Sequence, residues 1–268
     1  VGPSSPGELG NLGWSLAKEG VSVSTIGLGH DYNEDLMVAL ARMSDGNHAF
    51  VENAADLARV FSYEFGDVLS VVAREVEVTI RCAPGVRPVR VLGRPADIYG
   101  GTVVARLNQL YAEQEKFLLL EVRVPSGLDG ERLPVASVDV RYANTIARTT
   151  DVLGASVSAS FTRSAAEVDR HRDESVMVAS VELLANERSK RAVELRDEGR
   201  VHEAEQLLED NAVFLESNAS KYKSKKLKKR AASNREAKGE ISKPAARWKV
   251  QRKAMRDEQY ELDMQQAF

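Results

Sequence analysis

The sequence predicts an α+β protein of several parts: a partial α/β segment, then an antiparallel β-sandwich, then an α-helical hairpin tail. Three observations support this fold class. Helix and strand patterns alternate over residues 1–66, and a period-two alternation of apolar residues dominates residues 67–162. Residues 163–268 carry helical periodicity with almost no strand pattern. We therefore predict three domains with these boundaries.

The first part is predicted to be a Rossmann-like α/β layer. Leucines at helical spacing over residues 9–16 predict a helix, and the apolar run 21–26 predicts a buried strand. Asp31 or Asn33 is suited to cap a second helix, which a strand over residues 48–52 follows. Two strands are too few for a stable parallel sheet, so we expect the amino-terminal half of this layer to lie outside the sequence.

The second part contains four stretches in which polar and apolar residues alternate, and turn sequences rich in Gly, Pro and Asp separate them. The alternating stretches are residues 76–80, 118–124, 138–142 and 157–161. Alternation gives each strand one buried and one solvated face, which is typical of antiparallel sheets. A small β-sandwich is the simplest arrangement of such strands.

The third part is predicted to be helical. A long helix that begins near Met177 ends at Gly199, and a second begins at Val201 after a tight turn, which gives a helical hairpin. A further helix is predicted from about residue 245 to residue 264, with Pro244 at its start.

Charge is unevenly distributed along this third part. The net charge of the chain is −3, so a contact with an anionic partner would have to be local. One run is strongly basic, and its charged residues are Lys221, Lys223, Lys225, Lys226, Lys228, Lys229 and Arg230. Such a run favours contact with anionic lipid headgroups or nucleic acid, or it is a solvated helix face balanced by Glu203, Glu205, Glu209 and Asp210. With Tyr222 as its one aromatic residue, the run disfavours single-stranded nucleic acid.

We find no residue pattern that indicates catalysis. The four histidines lack the spacing of a metal site, and each is predicted to be a surface or turn residue. The single cysteine, Cys82, is predicted to be an apolar filler near a strand end. No stretch approaches the roughly 20 apolar residues that a membrane-spanning helix needs. The sequence therefore predicts no enzyme, no catalytic residue and no metal ligand.

Residues 21–37, VSVSTIGLGHDYNEDLM, resemble the late strand and following helix of a von Willebrand factor A domain. The similarity is to the bacterial proteins described as Ca-activated chloride channel-like. Further segments that resemble these proteins are residues 45–57, 69–72, 106–111, 248–256 and 265–268.

The resemblance implies a metal-ion-dependent adhesion site that binds Mg²⁺ or another divalent cation in a complete A domain. Its D-x-S-x-S loop occurs nowhere in this chain, so we expect no cofactor in this chain alone. Asp31, Asn33 and Glu34 lie in a loop at the carboxyl end of a predicted strand, where ligands bind in open α/β sheets. They are candidates for the rim of a ligand site, and helix capping is the alternative interpretation.

The function implied by the resemblance is that of a non-enzymatic protein-binding or scaffold module. A longer chain would complete its adhesion site, and its location would be the cell envelope. An accessory role in envelope transport or in a channel is a second hypothesis. Binding of the basic run to an anionic surface is a third, with a membrane favoured over nucleic acid.

Overall fold

The computed structural model describes residues 2–68 and 71–265, and the chain forms two compact units. The first unit contains the described residues up to Ser15, Val23–Val60, and the described residues from Asp173 onward. The second contains Leu16–Ser22 and Phe61–Arg172. Most of the first predicted part and most of the helical tail thus share one unit. Residues 69–70 and 266–268, which belong to segments of the family resemblance, lie outside the described residues.

The α/β segment alternates helices and strands as predicted. Its elements are α1 (Pro6–Lys18), β1 (Thr25–Leu28), α2 (Glu34–Met43), β2 (His48–Val51) and α3 (Leu57–Val68). β1 and β2 pair in parallel, with Thr25 opposite His48. The α/β class is confirmed, although the first strand begins at Thr25 rather than at the predicted residue 21.

Glycine allows α1 to pack closely on α2. A Cβ atom at Gly13 would lie 2.6 Å from the carbonyl oxygen of Leu40, so a larger residue would force the helices apart. Beneath them, Ala49 and Val51 of β2 form a small core with Val60 of α3.

The tail contains four long helices, which is more than the predicted hairpin and final helix. They are α5 (Glu174–Asp197), α6 (Val201–Lys221), α7 (Lys225–Ile241) and α8 (Ala245–Met264). All four contribute to one core, for example through Val193, Leu208, Ile241 and Trp248. The hairpin prediction was incomplete because α7 buries few residues, among them Leu227 at the start of the helix, and so has a weak apolar period.

The second unit is built from antiparallel sheets, which confirms the predicted β-rich part. Its strands are β3 (Val71–Cys82), β4 (Arg87–Leu92), β5 (Asp97–Tyr99), β6 (Thr102–Tyr111), β7 (Leu119–Arg123), β8 (Arg132–Asn144) and β9 (Thr149–Ser160). Five strands pair in the order β5-β6-β3-β8-β9, and β4 pairs with β7 alone. A short helix, α4 (Ala165–Arg170), follows β9. Ala73, Val76 and Leu107 form a core on the five-stranded sheet.

The edge strand β9 departs from the prediction of one buried face. Leu153 and Val157 are paired with β8 but are 59% and 54% exposed. β9 is the last strand of its sheet and has a neighbour on one side only. Alternation in sequence therefore indicated a strand here, but not a covered one.

Candidate functional site

Two loops meet at the carboxyl edge of the small parallel sheet, because neighbouring parallel strands end side by side. The loop after β1 carries His30, Asp31 and Asn33, and the loop after β2 carries Glu52. Nε2 of His30 lies 3.9 Å from Oε1 of Glu52, which links the two loops. We call these four residues the sheet rim. Asp31, Asn33 and Glu52 are exposed to solvent.

Asn33 caps α2. Its Oδ1 atom accepts hydrogen bonds from the backbone N–H groups of Asp35 at 3.1 Å and Leu36 at 3.3 Å. Its extended backbone, with φ −92° and ψ 105°, is that of an N-cap residue. The capping interpretation therefore accounts for Asn33, whereas a role in a ligand rim stays a prediction.

Glu34 is buried at the start of α2 and faces helix α8. Its Oε2 atom lies 2.5 Å from Nζ of Lys253, and Arg252 donates to its other oxygen. Burial raises the pKa of Glu34, but the hydrogen bonds from Lys253 and Arg252 outweigh this effect, so its pKa is lowered. Glu34 is thus a charged, internally paired carboxylate.

The charges around Glu34 join three helices. Arg252 also donates to Asp35 at 2.7 Å and to Asp197 at 2.8 Å. We call Glu34, Asp35, Asp197, Arg252 and Lys253 the ionic cluster. Because its members lie on α2, α5 and α8, it fixes α8 against both the α/β segment and the tail.

Lys253 also holds the loop of the sheet rim from below. Its Nζ atom donates to the carbonyl oxygen of Tyr32 at 2.7 Å and lies 4.0 Å from the centroid of the Tyr32 ring. The ring in turn lies on Gly27 in β1, where a Cβ atom would come within 1.9 Å of it. A glycine at this strand position therefore makes room for Tyr32.

His48 is a buried histidine that sequence reasoning assigned to the surface, and that assignment was wrong. Its side chain is 1% exposed, and its Nδ1 atom lies 2.8 Å from Oγ1 of Thr25. Its ring packs edge-on against Tyr260 of α8, with centroids 5.7 Å apart. Burial lowers the pKa of His48 to about 4. The signal was absent locally because Tyr260 lies more than 200 residues away in sequence.

Asp257 is a second titratable group that the sequence did not single out. Its Oδ1 atom accepts a hydrogen bond from the backbone N–H of Phe50 in β2 at 3.0 Å. Burial, reinforced by the charge of Glu261, raises the pKa of Asp257 to about 7. Helix α8 therefore places the acid Asp257 against β2 and the base Lys253 against α2.

The predicted rim residues do not together fit a divalent cation. The Asn33 side chain caps a helix, and Glu34 is neutralised by Lys253, which leaves only the Asp31 carboxylate. Mg²⁺ and Ca²⁺ require about six or more oxygen ligands. Within residues 2–68 and 71–265, no three His, Cys, Asp or Glu side chains are grouped so that they could hold a metal ion.

The basic run spans the end of α6, a short turn and the start of α7. Two of its cations pair internally: Lys226 lies 2.8 Å from the buried Glu182, and Arg230 pairs with Glu258. The other five are exposed lysines: Lys221, Lys223, Lys225, Lys228 and Lys229.

The acids that could balance the run have partners elsewhere. Glu203 pairs with Arg200 at 2.7 Å, and Glu209 pairs with Lys238 at 2.9 Å. Asp210 accepts a hydrogen bond from Gln206, and Glu205 lies 4.0 Å from His202. The expected neutralisation by these four residues is therefore absent from their described contacts.

Among the described residues, no helix has both the length and the apolar character needed to cross a bilayer. No protein-family model matches the chain.

Three proteins share similar sequence with part of the chain. Protein sll0103 of Synechocystis is 26% identical over 152 residues, which cover 53% of this chain and 36% of that protein. YfbK of Escherichia coli is 29% identical over 85 residues, 31% of this chain and 15% of that protein. The E3 ubiquitin-protein ligase WAV3 of Arabidopsis thaliana is 35% identical over 89 residues, which cover 30% of this chain and 12% of that protein. The chain thus spans little more than a third, or less, of the length of these relatives.

Solved structures resemble the fold over nearly the whole chain. A von Willebrand factor type A protein from Catenulispora acidiphila has a TM-score of 0.68 at 12% identity, covering 91% of this chain and 57% of that one. The ArnB paralog VWA2 from Sulfolobus acidocaldarius has a TM-score of 0.55 at 17% identity, covering 91% and 55%. The human COPII-coat protein Sec24c has a TM-score of 0.60 at 15% identity, covering 97% and 35%.

Two of these three structures are von Willebrand factor type A proteins, and their identity to this chain is below the level that would show more than architecture. The resemblance read from residues 21–37 is therefore confirmed at the level of the fold: this chain has the fold of von Willebrand factor type A proteins.

Proposed function

We propose that this chain is a non-enzymatic protein-binding module of the von Willebrand factor A type, and that its partner contacts the sheet rim. One observation carries the proposal. The exposed Asp31 and Asn33 stand on the loop that the buried Lys253 fixes through the backbone and ring of Tyr32, and His30 of the same loop lies 3.9 Å from Glu52.

Such fixation favours binding because a loop that is already ordered loses less conformational entropy when a partner docks. The rim carries the exposed acids Asp31 and Glu52, which favour a partner that presents basic groups. A role in protein assembly also agrees with the fold, since the similar Sec24c is described as a coat protein.

We propose a divalent cation at this edge of the sheet only for a longer chain that contains this one. Such a chain would have to supply the D-x-S-x-S loop and the other ligands, since this one offers only Asp31. Calorimetric titration of Mg²⁺ into this chain should therefore show no binding. Binding that is lost in Glu34→Gln would contradict our view of Glu34 as a structural ion pair.

The binding proposal is tested by capture of proteins on the immobilised chain from an extract of its source cells, followed by calorimetry with the purified partner. The double variant Asp31→Ala/Glu52→Ala should bind the partner about tenfold more weakly or worse, and tenfold corresponds to roughly 1.4 kcal/mol of binding free energy. The matched control, Glu115→Ala/Glu236→Ala, removes two exposed acids elsewhere and should bind like the wild type.

A partner that binds both double variants equally would show that the rim is not its site. If no captured protein bound the chain again when both were purified, the binding function itself would be contradicted. A hydrolytic activity of the chain that a single substitution abolishes would contradict the non-enzymatic part of the proposal.

A further inference from the structure

The five exposed lysines at the junction of α6 and α7 form a concentrated positive surface, which we call the lysine corner. Lys221 ends α6, Lys223 lies in the connecting turn, and Lys225, Lys228 and Lys229 lie in the first turns of α7. None of the five comes within 4.0 Å of a carboxylate in the described part of the chain.

The lysine corner lies in a stretch of sequence that contains no acidic residues. Residues 217–235 contain eight Lys or Arg residues and no Asp or Glu. The neighbouring acids form ion pairs with cations further along α7: Glu216 pairs with Arg235, and Glu209 pairs with Lys238. The charges of the helical tail are therefore segregated, and the corner keeps its full positive charge.

Helical geometry directs these lysines to one side. At 100° per residue, Lys225, Lys228 and Lys229 span about 100° of the helix surface. Leu227 and Ala231 are buried and lie on the opposite side of α7. Along α7 the next acid on the lysine side is Glu236, roughly two turns beyond Lys229, and Lys229 also interacts electrostatically with Glu261 of α8. The three lysines thus face solvent together.

The same surface lacks the aromatic groups that recognition of single-stranded nucleic acid needs. Tyr222 is its one aromatic residue, and the ring packs against the core of α5, α6 and α7 rather than offering a face for base stacking. The corner lies at the junction of two helices of one hairpin. A cluster of lysines without a stacking ring suits an array of lipid phosphates, where charge alone provides the attraction.

We propose that the lysine corner binds the surface of an anionic lipid bilayer by electrostatic attraction to phosphate headgroups. This function is independent of the protein-binding role of the sheet rim. Ammonium groups hold phosphates as point charges, and no exposed large apolar side chain of the corner is available for insertion, so the attraction must be strongly salt-dependent.

The proposal is tested by co-sedimentation of the whole chain with two kinds of vesicle. One consists of phosphatidylcholine alone and the other of an equal mixture of phosphatidylcholine and phosphatidylglycerol. At low ionic strength the chain should bind the anionic vesicles and not the neutral ones, and high salt should release it. Equal binding to both vesicles, or no binding to the anionic ones, would overturn the proposal.

The site within the chain is tested by the triple variant Lys225→Gln/Lys228→Gln/Lys229→Gln. Each lysine contributes about fivefold to partitioning onto an anionic surface, so the variant should bind about a hundredfold more weakly. The matched control Lys243→Gln/Arg247→Gln/Lys249→Gln removes three charges from the start of α8 and its approach. It should stay within a few-fold of the wild type.

Two further outcomes decide against the proposal. An equal loss in both triple variants would show an attraction to net charge rather than to the corner. Tighter binding to a DNA or RNA duplex than to the anionic vesicles, at the same salt concentration, would assign the corner to nucleic acid instead. Circular dichroism of both variants should match the wild type, since five of the six side chains are exposed and Lys243 is only partly buried.

Discussion

His48 shows how one side chain sets the acid stability of the first unit. It is buried beside Thr25 and Tyr260, and the surroundings hold it neutral. Because an unfolded chain can protonate this histidine freely, its burial has a cost that grows as the pH falls. The residue is thus a buried structural element whose contribution to stability depends on pH.

The pH dependence follows from the lowered pKa. Between pH 6.5 and about 4 the unfolded state binds a proton at His48 and the folded state does not. The contribution of His48 to the free energy of unfolding should therefore fall by about 3 kcal/mol as the pH decreases through this window, and this effect should be absent above it. NMR titration should show one histidine with a pKa of about 4, and its signal should be missing in His48→Gln.

In His48→Gln the contribution of His48 is absent, so the free energy of unfolding should rise more, or fall less, than in the wild type as the pH decreases from 6.5 to 4. Asp257, whose pKa is raised to about 7, acts in the opposite direction: it stabilises the fold most below pH 3.8 and loses this effect as the pH rises towards 7. A histidine signal with an ordinary pKa in all four positions would contradict the burial of His48.

At the scale of elements, α8 is attached to α2 by an ion pair, and removal of either charge should lower the stability of the fold. Lys253 and Glu34 are both largely removed from solvent, with 2% and 9% of their side chains exposed. A buried pair gives little net stability compared with an apolar replacement, but the loss of one partner leaves an uncompensated charge.

The variant Lys253→Met should lower the free energy of unfolding of the first unit by about 3 kcal/mol, since Glu34 keeps only Arg252. The double variant Lys253→Met/Glu34→Gln should recover part of this loss, because the stranded charge is then absent. Urea unfolding followed by fluorescence of the buried Trp248 measures both values. Lys249→Met, on the exposed side of the same helix, is the control and should change stability by less than about 0.5 kcal/mol.

Elements with local signals were predictable from the sequence, and elements defined by distant partners were not. Asn33 was recognisable as a cap because a cap acts on the next few residues. The role of Glu34 was not, because Lys253 and Arg252 lie about 220 residues further on. α7 was missed as a separate helix because its lysines mask a narrow buried face.

At the scale of the whole molecule, α8 serves two cores at once. Trp248 and Met255 belong to the core of the helical tail, whereas Tyr260 and Met264 pack on Ala41 of α2. The Tyr260 hydroxyl also donates to the carbonyl oxygen of Gly46 at 2.6 Å. The sequence suggested separate first and third domains, but this helix packs against both, and they belong to one compact unit.

The variant Tyr260→Ala should therefore weaken both parts together. Truncation of a large buried side chain costs about 3 to 5 kcal/mol. Hydrogen exchange followed by mass spectrometry should show faster exchange in β2 and in α5 alike. Val213→Ala, at an exposed position of α6, should leave both unchanged. Loss of protection in β2 alone would show that the tail folds independently of the α/β segment.

The position of α8 in the chain also determines the order in which the protein matures on the ribosome. All residues of the second unit have been synthesised when Arg172 is added, whereas α8 is finished only at Met264, roughly 90 residues later. At about 5 to 20 residues per second, this interval lasts about 5 to 20 s. Throughout it β1 and β2 lack Tyr260 and Lys253, so we expect the α/β segment, although synthesised before the second unit, to reach its native state only after α8 has been added.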